Sequence, residues 1–284
     1  ATLIPTETPT ATQAPTETTA ATETPTVVSL PESMMGTEII PLDELSPGIP
    51  WLDVVFPTPR NKYVLFIFRK AVFDDPLVRR ALSYAVDQEA ISQKFSVPNR
   101  PATVITPSEI LGRDLYGAVG IHYDPQKAKD LLVEAGFQDP VDFPEIIFLV
   151  YPTGDGDSDS NLEIVNAIIE MWREYLGISA RIEVNDNLQG FLGQLYEDSY
   201  DVALLSWGAD YNDPNNFLRE PFSTNGSSNV NQYSNSEFDR LVKEAASMQE
   251  PADRQALYIL AEDVLCEQDP AVIPLFFYHN PDND

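Results

Sequence analysis

The stretch SWGADYNDPNNF, Ser206 to Phe217, follows the apolar run YDVALL and sets Trp207, Asp210 and Asp213 close together where that run stops. Carboxylates beside an indole suit the holding of a cation. In a dry cleft a carboxylate forms a charge-assisted hydrogen bond with an ammonium group, worth on the order of 1.5 to 3 kcal/mol. Acid–base catalysis by the two aspartates asks for more, because a three-residue separation in a loop fixes no distance between carboxyl groups. Asp213 also has a local reading, since an Asp before Pro favours a turn. For Trp207 two roles stay open: a rim residue packed on a sheet edge, and a ligand contact.

Other chemistry-bearing residues lead less far. Asp155, Asp157 and Asp159 in DGDSDSNLE have the one, three, five spacing of a calcium loop. Ser160 then stands where the sharp turn needs Gly, and Asn166 where a bidentate Glu is needed. The stretch reads better as a solvated loop in which Asp159 or Ser160 caps the next helix. His122 and His279 have no sequence-local acid or nucleophile, and no G-x-S-x-G, Walker, H-E-x-x-H or Cys/His metal spacing occurs. Cys266, the one cysteine, cannot form an internal disulfide and falls among Leu257, Leu260, Ala261, Val264 and Leu265 at helical spacing. It reads as a small residue on a packing face. The expectation is a non-enzyme with no catalytic residue, cofactor or metal.

Charge narrows the partners. Seventeen basic side chains stand against forty-five acidic ones in 284 residues, a formal net charge of −28. Nucleic acid and anionic membrane surfaces need a positive field that this composition does not supply. Cationic and zwitterionic small ligands remain. No apolar run reaches the roughly 18 residues of a membrane span, and no basic start with an apolar core marks a signal peptide.

The elements that must position Trp207 and Asp210 are legible in the periodicity. Residues 1–31 form a Thr/Pro-rich tract with little to bury, expected to be a disordered stalk. Residues 32–60 read as a connector, and 61–284 as the folded lobe. NKYVLFIF reads as a strand. Asp75 and Pro76 open a helix whose stripe, Leu77, Val78, Ala81, Leu82, Ala85, Val86 and Ala90, predicts one element through FDDPLVRRALSYAVDQEAISQKF. Asp124 and Pro125 repeat the device, and Gly136 closes that helix.

Next come a strand at EIIFLVY, a helix ending at Gly177, a strand at ISARIEV, a shorter helix at LQGFLGQLYED and a strand at YDVALLS. This alternation predicts parallel βαβ units. Ligands of such sheets lie beyond the carboxyl ends of the strands. Trp207 to Asp210 sit at one such end and Tyr151 to Asp155 at another, so both loops open on one rim if their strands share the sheet.

Four motifs, FDDPLVRRALSYAVDQEAI, YDPQKAKDLLVEAGF, MWREYLGISARIEV and YDVALLSWGADYNDPNNFL, occur in the order of one family. From about Tyr63 to Asn280 the chain resembles the family 5 extracellular solute-binding proteins, which deliver peptides, and in some members nickel or other solutes, to ABC importers. The resemblance implies an α/β fold, a single lobe of the periplasmic-binding-protein type II kind with a central, mainly parallel sheet flanked by helices. It implies Asp210 as the anchor of a peptide's α-amino group, Trp207 as a pocket wall and the Gly208 backbone as a peptide contact. Tyr211 and Tyr151, at the same two strand ends, are further ligand-binding candidates. Pairing of an extended peptide by strand addition would be indifferent to side chains, so broad specificity is expected.

Departures accompany the likeness. A short connector stands where the family has a large first lobe, the chain stops soon after FFYHN, and Ile67, Phe68 and Val72 are apolar where the family often has asparagine and proline. The expectation is therefore one lobe whose partner lobe is missing, with ABC permease subunits as partners. Its place is extracytoplasmic, tethered to the membrane through the N-terminal segment of a chain with sequence upstream of Ala1. The alternative is a surface-tethered interaction or sensory module that kept the fold and lost transport.

Overall fold

The computed structural model describes residues 58–94, 99–152 and 161–278. The stalk, most of the connector, the Asp155, Asp157 and Asp159 loop and His279 lie outside them. In chain order the elements are β1 (Arg60–Phe66), α1 (Pro76–Tyr84), α2 (Gln88–Ser92), β2 (Arg100–Pro101), α3 (Ser108–Leu111) and α4 (Pro125–Glu134). There follow β3 (Ile146–Val150), α5 (Asn161–Met171), β4 (Ala180–Val184), α6 (Leu188–Gln194) and β5 (Val202–Gly208). The last are α7 (Pro214–Phe222), α8 (Ser236–Ser247), α9 (Pro251–Asp263) and β6 (Val272–Phe277).

An aspartate followed by a proline opens α1, α4 and α7. In each the aspartate accepts a hydrogen bond from a first-turn N–H, that of Leu77, Lys127 or Asn215, while the proline's fixed φ suits the first helical position. Asp213 is thus a helix cap rather than turn chemistry alone. The stripe read as one helix from Asp75 is broken. Ala85 caps the end of α1, and Asp87 starts α2 afresh by accepting from Ala90 N at 2.8 Å. A short acceptor side chain competing for first-turn N–H groups is what interrupts the stripe there. At the end of α5 the chain widens into a π turn, Trp172–Leu176, and stops at Gly177 with φ 70°, a conformation that favours glycine.

The strands assemble in the order β2-β6-β1-β5-β3-β4. The β3 strand pairs in parallel with both β4 and β5, as the βαβ pattern requires, whereas β1 runs against β5 and β6 on either side. Four strands, β6, β5, β3 and β4, therefore point one way, and the first strand of the lobe is threaded between them in reverse. Sequence alternation could not show that insertion, because β1 is buried on both faces and its second half, Tyr63 to Phe66, reads as a continuous apolar run.

Side chains alternate across the sheet into two cores. Ala203, Leu205 and Trp207 of β5, with Tyr63 and Leu65 of β1, face a layer built by α6, α7, α8 and α9. Val202 and Leu204, with Val64 and Phe66, face α1, α4 and α5. In the second core Trp172 stacks on Phe148 at 5.8 Å and gives its indole N–H to Leu82 O at 3.0 Å, so a large ring is buried with its polar atom satisfied. Cys266 is fully buried against Glu262, consistent with a packing role.

Candidate ligand-binding site

The carboxyl end of β5 is pinned from both sides. Trp207 N donates to Asn61 Oδ1 at 2.9 Å, and Ala209 N donates to Pro59 O at 3.0 Å. Asn61 is itself buried and gives its Nδ2 to Ile105 O at 2.7 Å. Gly208 lies opposite Arg60, and a Cβ there would meet Arg60 Cγ at 3.3 Å. A larger residue there would require the Arg60 side chain to give by a few tenths of an ångström.

Beyond Gly208 the chain turns through Asp210 and Tyr211, both exposed, into α7. Asn216 on the first turn of α7, only 2% exposed, holds this turn together. Its Oδ1 accepts from Trp207 Nε1 at 3.1 Å and from Asp210 N at 3.2 Å, while its Nδ2 reaches Asp210 Oδ2 at 3.4 Å. The helix is fixed in turn by Asp213, whose carboxylate pairs with Arg254 of α9 at 2.7 and 2.9 Å. Arg254 also donates to Ala245 O and Tyr258 Oη, so α7, α8 and α9 converge on one guanidinium.

The outcome for the sequence-derived residues is mixed. Trp207, Gly208 and Asp210 come together at one strand end, and Tyr211 follows them, its hydroxyl 3.4 Å from Asn215 Nδ2. Tyr151 leaves the end of β3, the parallel neighbour of β5, and packs against Phe191 at 6.0 Å between ring centroids. The carboxyl ends of β3 and β5, which carry Tyr151 and Trp207, therefore lie on the same side of the sheet. His122 rests with its ring 5.2 Å from Tyr116, a packing role. Among the described residues no group of three or more His, Cys, Asp or Glu is placed to hold a metal ion.

Asn216 and Arg254 were missed in the sequence. The signal for Asn216 was present: a third Asp-Pro pair, like the two read as helix starts, puts the residue three positions on at the helix mouth. Arg254 lies 41 residues from Asp213, and no local pattern links them.

Asn216→Leu keeps the volume and leaves the Trp207 and Asp210 N–H groups without their acceptor. The expected cost is about 1–3 kcal/mol of unfolding free energy, read by urea denaturation. A change inside the roughly 0.5 kcal/mol scatter of surface substitutions would show that the amide does not hold the turn.

Against the inner wall of this turn lies a hollow of about 300 Å³ on the first core's side of the sheet. Trp207, Leu205 and Leu65 floor it, Leu192 of α6 and its cap Leu195 form one wall, and Phe222 of α7 forms the other.

A mixed six-stranded sheet with helices on both faces is the architecture of a type II periplasmic lobe, the class of its solved neighbours. The chain belongs to the bacterial extracellular solute-binding proteins, family 5, whose middle region matches residues 27–229. It therefore stands among solute-binding proteins rather than enzymes. The periplasmic oligopeptide-binding protein OppA of Salmonella typhimurium is 34% identical over 217 residues, which is 75% of this chain and 38% of that protein. The unliganded open form of the periplasmic murein tripeptide binding protein MppA superposes with a TM-score of 0.68 at 25% identity, over 79% of this chain and 43% of that one. Haemophilus influenzae OppA in complex with RPPGFSPFR gives a TM-score of 0.67 at 24% identity, over 79% of this chain and 45% of that one. The chain thus spans about two fifths of the curated relative it matches.

Proposed function

We propose that this chain is the ligand-holding lobe of an extracytoplasmic oligopeptide-binding protein, in which Asp210 takes the free α-amino group of the peptide. In the complete protein a second lobe closes over the ligand and the pair presents it to an ABC permease, the N-terminal segment serving as the tether. The observation that carries the reading is the Asp210 carboxylate, exposed beyond β5 next to Trp207, with its backbone N–H held by Asn216 and its Oδ2 3.4 Å from the Asn216 amide. Relatives named for oligopeptides, one of them solved with a nonapeptide, support the ligand class.

Exposure sets the size of the effect. An ion pair in water is worth about 0–1 kcal/mol, at most a fewfold in affinity, whereas a closed and drier cleft raises it to about 1.5–3 kcal/mol. Calorimetry with trialanine and N-acetyl-trialanine separates the two regimes when run on this chain and on a version extended by its natural flanking sequence. Asp210→Asn and acetylation are expected to lower affinity to the same extent, and more in the extended version. Equal binding of free and acetylated peptide in both would remove the assignment.

The sensory-module alternative drew on the missing first lobe together with the apolar Ile67 and Phe68, and of these the two apolar residues have a packing explanation. Ile67 is fully buried in the first core, and Phe68 lies between the Arg79 guanidinium at 4.5 Å and the Tyr233 ring at 5.3 Å.

A further inference from the structure

We infer that the free edge of β4 is a pairing surface for a second copy of this chain. Two β4 strands join antiparallel about a two-fold axis through Ile182, and the two sheets become one. This edge is separated from the Asp210 turn by β3, which lies between β5 and β4, so the pairing stands independently of the amine reading.

Its first support is the contrast between the two ends of the sheet. At one end β2 is two residues long and includes Pro101, which has no N–H to offer. Short strands and prolines are how folds blunt an edge. At the other end β4 runs five residues without proline, lysine or glycine, in unbroken register with β3 from Ile146↔Ala180 to Val150↔Val184. Ile146 N donates to Ser179 O at 2.9 Å, and Asn185 N donates to Val150 O at 3.1 Å. In a parallel ladder this phase turns the N–H and C=O groups of Arg181 and Glu183 toward β3, and those of Ala180, Ile182 and Val184 outward. Among the described residues no strand takes up the outward groups.

The second support is that the sequence about Ile182 is complementary to itself. Outward-facing residues of two antiparallel edges meet as hydrogen-bonded pairs, and centring on Ile182 joins it to Ile182 of the other copy, with Ala180 against Val184 on both sides of the axis. In that register Arg181 falls opposite Glu183 of the other copy, in the non-hydrogen-bonded positions where side chains approach most closely. A two-fold contact asks for such a patch, since each copy presents the same surface. Within one chain Arg181 already lies 2.9 Å from Glu183 and 3.6 Å from Glu145, and all three are exposed. Exposed ion pairs contribute little, so trading this pair for the one across the axis sets register more than strength.

The third support is apolar. Ala180 and Ile182 pack on the second core, and the alternation of the strand puts Val184 on the same face, 50% exposed. Pairing covers Val184 with Ala180 of the other copy. Because the axis reverses strand direction, the rims of the two lobes open in opposite directions, and a pair cannot present both to one surface.

Sedimentation equilibrium from about 10 μM to about 1 mM chain in 0.15 M salt tests the inference. At that ionic strength the net charge of −28 on each copy is screened beyond about 8 Å, whereas pairs in contact are not. A strand edge covers less than the roughly 1,200 Å² of a stable interface, so a reversible dimer with a Kd on the order of 100 μM is expected. Arg181→Glu and Glu183→Arg each set like charges opposite one another, and each alone is expected to weaken association at least about 10-fold. Mixed in equal amounts, the two variants restore opposite charges across the axis, and the mixture is expected to associate about as tightly as wild type. That recovery also shows that both variants are folded. A wild-type chain that stays monomeric to about 1 mM, single variants that associate as tightly as wild type, or a mixture no tighter than its components would each overturn the inference.

Discussion

Arg79→Met is expected to lower unfolding free energy by about 3 kcal/mol, the low end of the range for breaking a buried ion pair. Arg79 is 1% exposed on α1, yet its guanidinium donates to Pro270 O at 2.8 Å, to Phe73 O and to the Asp269 carboxylate. Asp269 accepts in turn from Nδ2 of Asn235, the cap of α8, at 2.7 Å. Methionine fills the space but strands two carbonyls and a carboxylate. The low end applies because 28% of the Asp269 side chain stays in water and can be hydrated. Arg79→Lys is expected to recover only part of the loss, since one ammonium cannot reproduce three diverging donors. Urea denaturation measures both, and a loss below about 1 kcal/mol for Arg79→Met would show that the pair contributes no more than a surface bridge does.

Glu262→Ala is expected to cost about 2–6 kcal/mol by the same measurement, because it orphans two buried N–H groups at roughly 1–3 kcal/mol each. Glu262 is fully buried on α9, one oxygen accepting from Ile105 N at 2.9 Å and the other from Thr106 N at 2.8 Å. Burial holds its carboxyl above the ordinary range, outweighing these bonds, which favour the ionised form. The native state therefore keeps this proton more tightly than the unfolded chain does. The associated stabilisation is complete below about pH 4.3 and is lost as pH rises through the folded value. Glu262→Gln, always neutral, lacks that decline. The difference in unfolding free energy between wild type and Glu262→Gln should shrink as pH is raised from about 4, and a flat or growing difference would contradict the buried, proton-retaining carboxyl.

The effect of Glu262 reaches the site. Ile105 gives its N–H to Glu262 and accepts from Asn61, and Asn61 accepts from Trp207 N. A buried acid on α9 thus braces the strand end that carries the tryptophan.

What the sequence disclosed follows from how local each cause is. Asp75 and Asp124 announce α1 and α4 because cap and proline are adjacent residues, and β3, β4 and β5 announce their parallel pairing through the helices between them. The reverse threading of β1 was hidden, since strand direction depends on β6, more than two hundred residues away. Trp207 and Asp210 were legible as chemistry beside an apolar run. Asn216 and Arg254, which fix their geometry, read as ordinary polar residues, because their partners meet them only after α7 and α9 have packed. Arg79 was hidden in the same way: within the α1 stripe it looks like a solvent-facing position, and its carboxylate is 190 residues off.

The indoles of Trp172 and Trp207 occupy unlike media. One is stacked in a dry core with its N–H on a backbone carbonyl, and the other is half-exposed at the rim with its N–H on a side-chain amide. Their emission therefore differs in colour and in access to a collisional quencher. With the third tryptophan removed by Trp51→Phe, core and rim can be followed in one cuvette, melting at the blue edge of the spectrum and occupancy at the red.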